Sequence, residues 1–333
     1  MMRAAVLSFS ERGSQTAARA AAALSADYEV TRHVPKGNLK ALAAELFPAV
    51  EALVFVGACG IAVRAVAPHL VSKATDPAVL VIDEKGEFVI SLLSGHIGGA
   101  NELARRVAAA IGGTPVITTA TDVNRRFSAD AWAARHGLAI DSMEAAKRFS
   151  AEILRRDLPL CSDFPIEGRL PPGLTAGEAG DCGLAISCRD AHPFGVTLLL
   201  IPRALHLGVG CRRGVSAEAI GTAVRTALAR AGLRMEAAAS VSSIDVKRGE
   251  AGLLAWAEET GLPLSFYSAE ALNAVPGEFT GSEFVKKTVG VDNVCERAAV
   301  RAAGEGARLL VKKTSLDGVT VAAALEKWSV CFE

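Results

Sequence analysis

Short apolar runs alternate with helical stripes through residues 1–125. Residues 3–9 read as a first strand, residues 15–24 as an alanine-rich helix and residues 28–34 as a second strand, while Asn38 is placed to cap a helix running to Phe47. Residues 52–56, ALVFV, are apolar without a break, the pattern of a central strand buried on both faces. This alternation of strand and helix predicts a doubly wound parallel sheet in an α/β domain. The pattern is sharpest over residues 86–124. The run FVISLL at 88–93 predicts a buried strand, and a polar loop, Ser94-Gly95-His96-Ile97-Gly98-Gly99, follows it. Ala100, Leu103, Ala104, Val107, Ala108 and Ile111 then recur at helical spacing, with Asn101, Glu102, Arg105 and Arg106 on the opposite face. Gly112 and Gly113 end this helix, residues 115–117 read as the next strand, and residues 118–124 as a second polar loop.

Beyond residue 125 the texture changes. A helix over 142–156 leads into a segment rich in Pro, Gly and Cys, with short strands near 184–187 and 196–201, which predicts a small β-rich connector. At Leu205 a second α/β region opens with a strand over 205–210, a loop over 211–216, and a helix over 217–231 for which Ser216 is the N-cap. Strands follow at 237–245, 263–267 and 308–311, with helices at 250–260 and 294–303. Three domains are expected: 1–125 around the SGHIGG loop, 126–204 as the connector, and 205–333 as the second α/β domain.

The chain has 333 residues and is 50% apolar, enough for substantial cores. Its 36 lysines and arginines balance 36 aspartates and glutamates, so no net field draws it to nucleic acid or to an acidic membrane, and neither is expected as a partner. The seven cysteines form no C-x-x-C pair and read as reduced thiols of a cytoplasmic protein. Cys182, Cys188 and His192 match no zinc spacing, so no metal site is expected. No run reaches the roughly eighteen apolar residues of a membrane span, and the N-terminal run is too short for a signal peptide.

In an open parallel sheet the loops at the carboxyl ends of the strands line one crevice. Ser94, His96, Asn101, Asp122 and Asn124 would share it, with the amides of Gly98 and Gly99 open at a helix N-terminus to an anion or a developing oxyanion. His96 alone reads either as a satisfied loop histidine or as a catalytic base; its place between glycines at a helix start favours the base. A second glycine turn, Gly57-Ala58-Cys59-Gly60, feeds a helix with Arg64 one turn inside, and reads as a tight turn with a solvated arginine or as an anion cradle. Near the C-terminal region's first loop, Cys211-Arg212-Arg213-Gly214 fails the phosphate-loop pattern, since Val215 stands where lysine should follow the glycine, and it misses the dinucleotide fingerprint. Its two arginines form either a carboxylate fork or a solvated pair. Lys247, Ser282 and Lys313 are placed to face Arg212 across a second crevice, although each is of a type more often found at the surface.

Together these motifs resemble the cobalamin-biosynthesis protein G family of the anaerobic corrin pathway. The resemblance is carried by GACGIAVRAVAPHL at 57–70, KATDPAVLVIDEKGEFVISLLSGHIGGANELA at 73–104, TTATDVN at 118–124, GVGCRRG at 208–214, SSIDVKRGEAGL at 242–253 and SEFVKKTVGVDNVCERAAV at 282–300. These stand in the family's order over nearly the whole chain. Arg297 departs from the pattern, which has proline there. The resemblance implies an N-terminal domain, a variable middle domain, and a C-terminal domain similar to a stand-alone corrin-pathway protein.

It also implies a hydrolase acting on cobalt-precorrin-5A. The enzyme would open the δ-lactone between the ring A acetate and carbon 20, and release that carbon with its methyl group as acetaldehyde to give cobalt-precorrin-5B. No cofactor is expected, the cobalt being part of the substrate, and neighbouring enzymes of the corrin pathway are candidate partners. The chemistry asks for a base, oxyanion donors and cationic anchors for acetate and propionate groups. We expect His96 as the base, oriented by Asp122, with Gly98, Gly99 and Asn101 at the oxyanion and Ser94 grouped with the catalytic residues. Arg64, Lys73, Arg212, Arg213 and Lys247 are the expected anchors, and Gly57, Gly60, Asn124, Ser282 and Lys313 complete the substrate-binding set. Two other classes fit part of the pattern: a dinucleotide-dependent oxidoreductase using the glycine loops at 57 and 208, and a tetrapyrrole carrier that binds without turnover.

Overall fold

The computed structural model describes residues 1–72 and 75–332. Lys73, one of the expected anchors, lies outside them. The chain folds into two compact units, the first built on residues 1–136 with 150–157 and 171–173, the second on the rest.

Along the first unit run β1 (Met2–Ser8), α1 (Glu11–Leu24), β2 (Tyr28–His33), α2 (Leu39–Leu46), β3 (Ala52–Val56), α3 (Cys59–Val66), β4 (Ala78–Ile82), β5 (Phe88–Leu93), α4 (Ala100–Ile111), β6 (Thr114–Val116), α5 (Ala120–Val123) and α6 (Ala129–His136). Six strands form one sheet in the order β2-β1-β3-β4-β5-β6. The wholly apolar strands β3 and β4 are buried along their full length. Because successive side chains point to opposite faces, Val54 and Leu80 pack with α1 and α4, while Leu53 and Phe55 pack with α2 and α3. Ser10 and Asn38 cap α1 and α2.

This sheet is dominated by parallel pairs but is not parallel throughout. β1 to β4 run one way; β5 returns antiparallel to β4, and β6 follows the direction of β5. The cause is local. Asp83 accepts the N–H groups of Lys85 (3.0 Å) and Phe88 (2.5 Å), and Gly86 turns with φ +79°, so the chain doubles back without a crossover helix. The carboxyl ends of β5 and β6 therefore lie at the sheet end opposite to those of β1 and β3. One shared crevice for all the strand-end loops does not form: the turn at 57–60 and the loop at 94–99 sit at opposite ends of the sheet.

The chain continues through β7 (Ala139–Ile140), α7 (Met143–Ile153), β8 (Leu158–Ser162), β9 (Ile166–Glu167), β10 (Leu174–Ala176), β11 (Cys182–Ile186) and β12 (Val196–Ile201). The Pro- and Gly-rich stretch carries a sheet ordered β10-β8-β11-β12-β7, parallel except at β7. Next come β13 (Leu205–Cys211), α8 (Ala217–Arg230), β14 (Ala238–Ile244), α9 (Ala251–Thr260), β15 (Leu264–Tyr267), α10 (Ala269–Asn273), α11 (Glu283–Val289), α12 (Cys295–Ala303), β16 (Arg308–Leu316) and β17 (Val319–Leu325), and β18 (Val330–Cys331) pairs with β9. Their sheet is ordered β15-β14-β13-β17-β16, with β13 to β15 parallel and β17 antiparallel to both neighbours.

Here the structure exceeds the sequence pattern. The expected strand at 308–311 runs on to Leu316, which puts Lys313 in a strand rather than a loop, and β17 is an additional strand whose VTVAAAL sequence gives no alternation. α12 packs so closely on β13 that a Cβ on Gly208 would lie 1.8 Å from the Cys295 carbonyl oxygen. Among the described residues no helix is long and apolar enough to cross a membrane, and Cys59, Cys161, Cys188, Cys211 and Cys295 are free thiols.

Candidate functional site

The loop after β5 is held by its own backbone. Ser94 has φ 57°, and Gly99 starts α4 at φ 78°, a left-handed conformation that glycine adopts without cost. The Ser94 hydroxyl donates to the Asp76 carbonyl (2.9 Å), and the Gly99 amide donates to the His96 carbonyl (2.9 Å). A Cβ on Gly98 would stand 2.4 Å from that of Ser94. These contacts fix the backbone on either side of His96. They also redirect two expected groups: the Ser94 hydroxyl and the Gly99 amide close the loop instead of meeting a ligand.

His96 lies between two carboxylates. Its Nε2 is 3.1 Å from Asp122 Oδ2 and 3.1 Å from the Thr121 hydroxyl, and its Nδ1 is 3.2 Å from Asp130 Oδ1. Asp122 also accepts from the Thr119 hydroxyl (2.6 Å), Asn101 Nδ2 (3.0 Å) and the Arg105 guanidinium. Asp130, buried in the first turn of α6, accepts from the Ser128 hydroxyl (2.7 Å) and the Ala131 N–H (3.0 Å).

A ring with a carboxylate at each nitrogen is satisfied only when both nitrogens carry protons. Burial opposes that charge, but the bond and charge of Asp130, then those of Asp122, outweigh it and raise the His96 pKa. In turn, burial pushes the Asp130 carboxyl up, yet His96, Ser128 and the Ala131 amide bring it down to about 2. Asp122 is likewise lowered against its burial, by Thr119, Arg105 and His96. Protonated at both nitrogens the ring can act as a proton donor, whereas the sequence expects His96 as a base; the contacts raise the pKa without fixing its role. His96 keeps 20% of its side chain exposed, so the ring is reachable.

Of the other expected residues, Asn101 joins this cluster. Its helix position predicts an exposed side chain, yet it is buried, with Nδ2 on Thr119 (2.9 Å) and Asp122 and with Oδ1 unpartnered among the described residues. Asn124 does not join, because its exposed amide turns back to the Ala120 carbonyl (2.8 Å). Gly57, Gly60 and Arg64 gather at the opposite end of the sheet, where the guanidinium folds over Gly60. Asp130 escaped the sequence reading; its only local signal is Ser128 two residues before it, which looks like an ordinary helix cap.

In the second unit, Arg212, Arg213, Lys247 and Lys313 line one cavity of about 650 Å³ at the carboxyl ends of β13 and β14. Ser282 is not among its lining residues; its hydroxyl accepts the Val285 N–H as the cap of α11. Behind the cavity lies a buried carboxylate that the sequence reading also missed. Glu296, 1% exposed, accepts from the Thr280 N–H (2.8 Å) and hydroxyl (2.9 Å), Asn293 Nδ2 (2.8 Å) and the Lys313 N–H (2.6 Å). The neighbouring Arg297, where the family pattern has proline, bonds Asp292 (3.0 Å) and the carbonyls of Leu272 and Val275, and covers the Phe279 ring at 4.6 Å. The departure has contacts of its own and leaves the α12 start intact.

Residues 41–122 match the family profile described as cobalamin synthesis G N-terminal, and residues 205–324 match that described as cobalamin synthesis G C-terminus. The chain is 36% identical over 309 residues to a protein of Priestia megaterium named cobalt-precorrin-5A hydrolase, covering 87% of this chain and 82% of that one. It is 36% identical over 277 residues to the protein of that name in Salmonella typhimurium, covering 79% of each. A protein of Sinorhizobium sp named CobE is 36% identical over 121 residues, which is 36% of this chain and 79% of that protein. His96, Asn101 and Asp122 fall within the N-terminal match, and Asp130 lies beyond its end.

Proposed function

This chain belongs to the cobalamin synthesis G family, and from that premise we propose that it is a cytoplasmic cobalt-precorrin-5A hydrolase that opens the ring A lactone and releases acetaldehyde. Water adds to the lactone carbonyl, the acyl–oxygen bond breaks, and the electron pair passes to the oxygen on carbon 20. That oxygen closes to a carbonyl as the bond from carbon 20 to the macrocycle breaks. Acetaldehyde leaves, and the pair left on the macrocycle takes up a proton.

The observation that carries this reading is the doubly held, partly exposed His96. An imidazolium fixed in advance stabilises negative charge as it develops on the lactone oxygens, without reorganising during the step. His96 is then the catalytic donor. Asp130, Asp122, Asn101 and Thr119 position it, and the Gly98 amide is a second donor at the same loop.

The test is an anaerobic incubation with cobalt-precorrin-5A, trapping the aldehyde and weighing the macrocycle by mass spectrometry. The expected result is acetaldehyde with a macrocycle lighter by that two-carbon fragment, after allowance for the added water. A macrocycle retained at unchanged mass with no aldehyde would instead make the protein a carrier.

A further inference from the structure

A second histidine, in the second unit, holds an arrangement that the His96 cluster lacks. His206 stands at the amino end of β13, the end away from the cavity, and pairs directly with Ser240 of β14, so the two side chains share a face of the sheet. Glu326 follows the last residue of β17. It lies two residues past Ala324, the partner of His206 on that strand, which returns its side chain to the same face. Three separate stretches of chain thus bring together a hydroxyl, an imidazole and a carboxylate. His206 Nδ1 is 2.8 Å from the Ser240 hydroxyl, and its Nε2 is 3.0 Å from Glu326 Oε2.

The proton positions follow from the partners. A carboxylate only accepts, so Nε2 carries the proton of the neutral ring and Nδ1 keeps a lone pair for the Ser240 O–H. At His96 a carboxylate stands at each nitrogen; at His206 a hydroxyl that the ring can deprotonate takes one of those places. The hydroxyl meets Nδ1 rather than Nε2, but nucleophile, base and orienting group are defined by their contacts.

Local structure holds the group and leaves it reachable. The Glu326 N–H donates to the Ala204 carbonyl (3.0 Å), and a register shift between Leu205 and His206 interrupts the β13–β14 ladder beside the pair, a feature that recurs next to active sites. Ser240 is half-buried, while Glu326 and His206 keep 33% and 12% of their side chains exposed. β15 joins β14 only from Val241 onward, and the neighbour across β17 is the small Ala324. The space beside the hydroxyl is shallow and suits a short acyl group.

We propose that Ser240, His206 and Glu326 form a second hydrolytic centre, which cleaves short-chain carboxylic esters through an acyl-serine. The Ser240 oxygen bonds to the ester carbonyl carbon as its proton passes to His206 Nδ1. The ester C–O bond then breaks, and the departing alcohol takes that proton. Water attacks the acyl carbon and gives a proton to Nδ1; the bond to Ser240 breaks, and its oxygen recovers the proton. The products are an acid and an alcohol. Ser240 and His206 are the catalytic residues, and Glu326 is a positioning residue that fixes the ring and its tautomer. Solvent answers the charge on the carbonyl oxygen at so shallow a site, so turnover is expected to be slow and the acyl-serine to accumulate.

The test is covalent labelling of the full wild-type chain with a fluorophosphonate, in which the serine oxygen bonds to phosphorus as fluoride leaves, followed by peptide mass spectrometry. Label on Ser240 is expected, and p-nitrophenyl acetate should give a burst of about one nitrophenolate per chain before slow turnover. Ser240→Ala should lose the burst. His206→Gln, which cannot take the proton, should slow labelling at least about 10²-fold. Glu326→Gln should slow it about tenfold, with Glu326→Asp restoring part of the rate. Circular dichroism checks the fold of each variant, and the mapping on the wild type depends on none of them. A wild-type chain without label on Ser240, or labelling that a folded His206→Gln leaves unchanged, overturns the centre.

Discussion

Around His96 the charges are matched inside the cluster: His96 and Arg105 answer Asp122 and Asp130 at hydrogen-bond distance, while 20% of the His96 side chain stays exposed. Around the cavity at 210–213 the opposite holds, with Arg212, Arg213 and Lys313 facing an apolar space and their backbones fixed from behind. A matched cluster holds a proton in a defined place. An unmatched set of cations holds an anion. On the proposed hydrolase reading the first region serves as a donor for developing charge, and the contrast yields experiments that should touch one region and spare the other.

The largest effect is expected from His96→Ala, which removes the donor: aldehyde release should fall by roughly 10²-fold or more, with corrin binding unchanged. A loss within a few fold would show that the cluster is structural only. Next, Glu296→Gln puts an amide where four donors converge, and should lower stability by about 2 kcal/mol in denaturant unfolding through buried groups left unpaired. An unchanged midpoint would mean that the rim of the cavity is not held from Glu296.

Asp130→Asn is expected to cost about tenfold in turnover and to move the alkaline limb of the pH profile to lower pH, because His96 loses the larger of the two carboxylate influences that raise its pKa. Activity that needs the imidazolium is present below the His96 pKa and lost above it, so a limb that stays in place or moves upward contradicts the donor role. The smallest effect concerns acid stability. Asp130 falls from 3.8 to about 2 on folding, so it contributes stability that is present above 3.8 and lost as the pH falls towards 2. In Asp130→Asn that part of the acid dependence should be missing from unfolding curves. His96 has the opposite sign: its contribution is full below 6.5 and fades as pH rises through its raised value.

Much of this was legible in the sequence where the signal was local. His96, Asn101 and Asp122 come from one strand-loop-helix-strand-loop stretch, and its apolar spacing was enough to bring them together. Asp130 was not legible, because its partner lies 34 residues earlier in the chain and the only signal at the start of its own helix, ADAWAARH, is Ser128, a residue type common before any helix. The burial of Asn101 follows from the tight turn at Ser94 and Gly99, which helical spacing alone does not encode. The turn chemistry at 83–86 was visible, but its consequence for strand direction overrode the parallel expectation and moved Arg64 to the far end of the sheet. In the second unit the alanines of β17 carry no alternation, so the strand that completes the cavity wall left no pattern. Glu296 reads as an ordinary polar residue of an amphipathic helix and is buried only because Thr280, Asn293 and Lys313 meet it from elsewhere in the chain.

The reversal between β4 and β5 also bears on how the chain finds its fold. In the six-stranded sheet this is the one neighbouring pair joined by a tight turn, and every other pairing spans a helix or more of intervening chain. Closing a short turn forfeits the least chain entropy, so this hairpin is where pairing begins at the lowest cost. It sits inside the strand order, not at an edge, and the sheet can then grow from it in both directions, towards β3 and towards β6. Truncation of Val89, fully buried on β5, should therefore slow folding more than it speeds unfolding, the signature of a contact already made at the barrier.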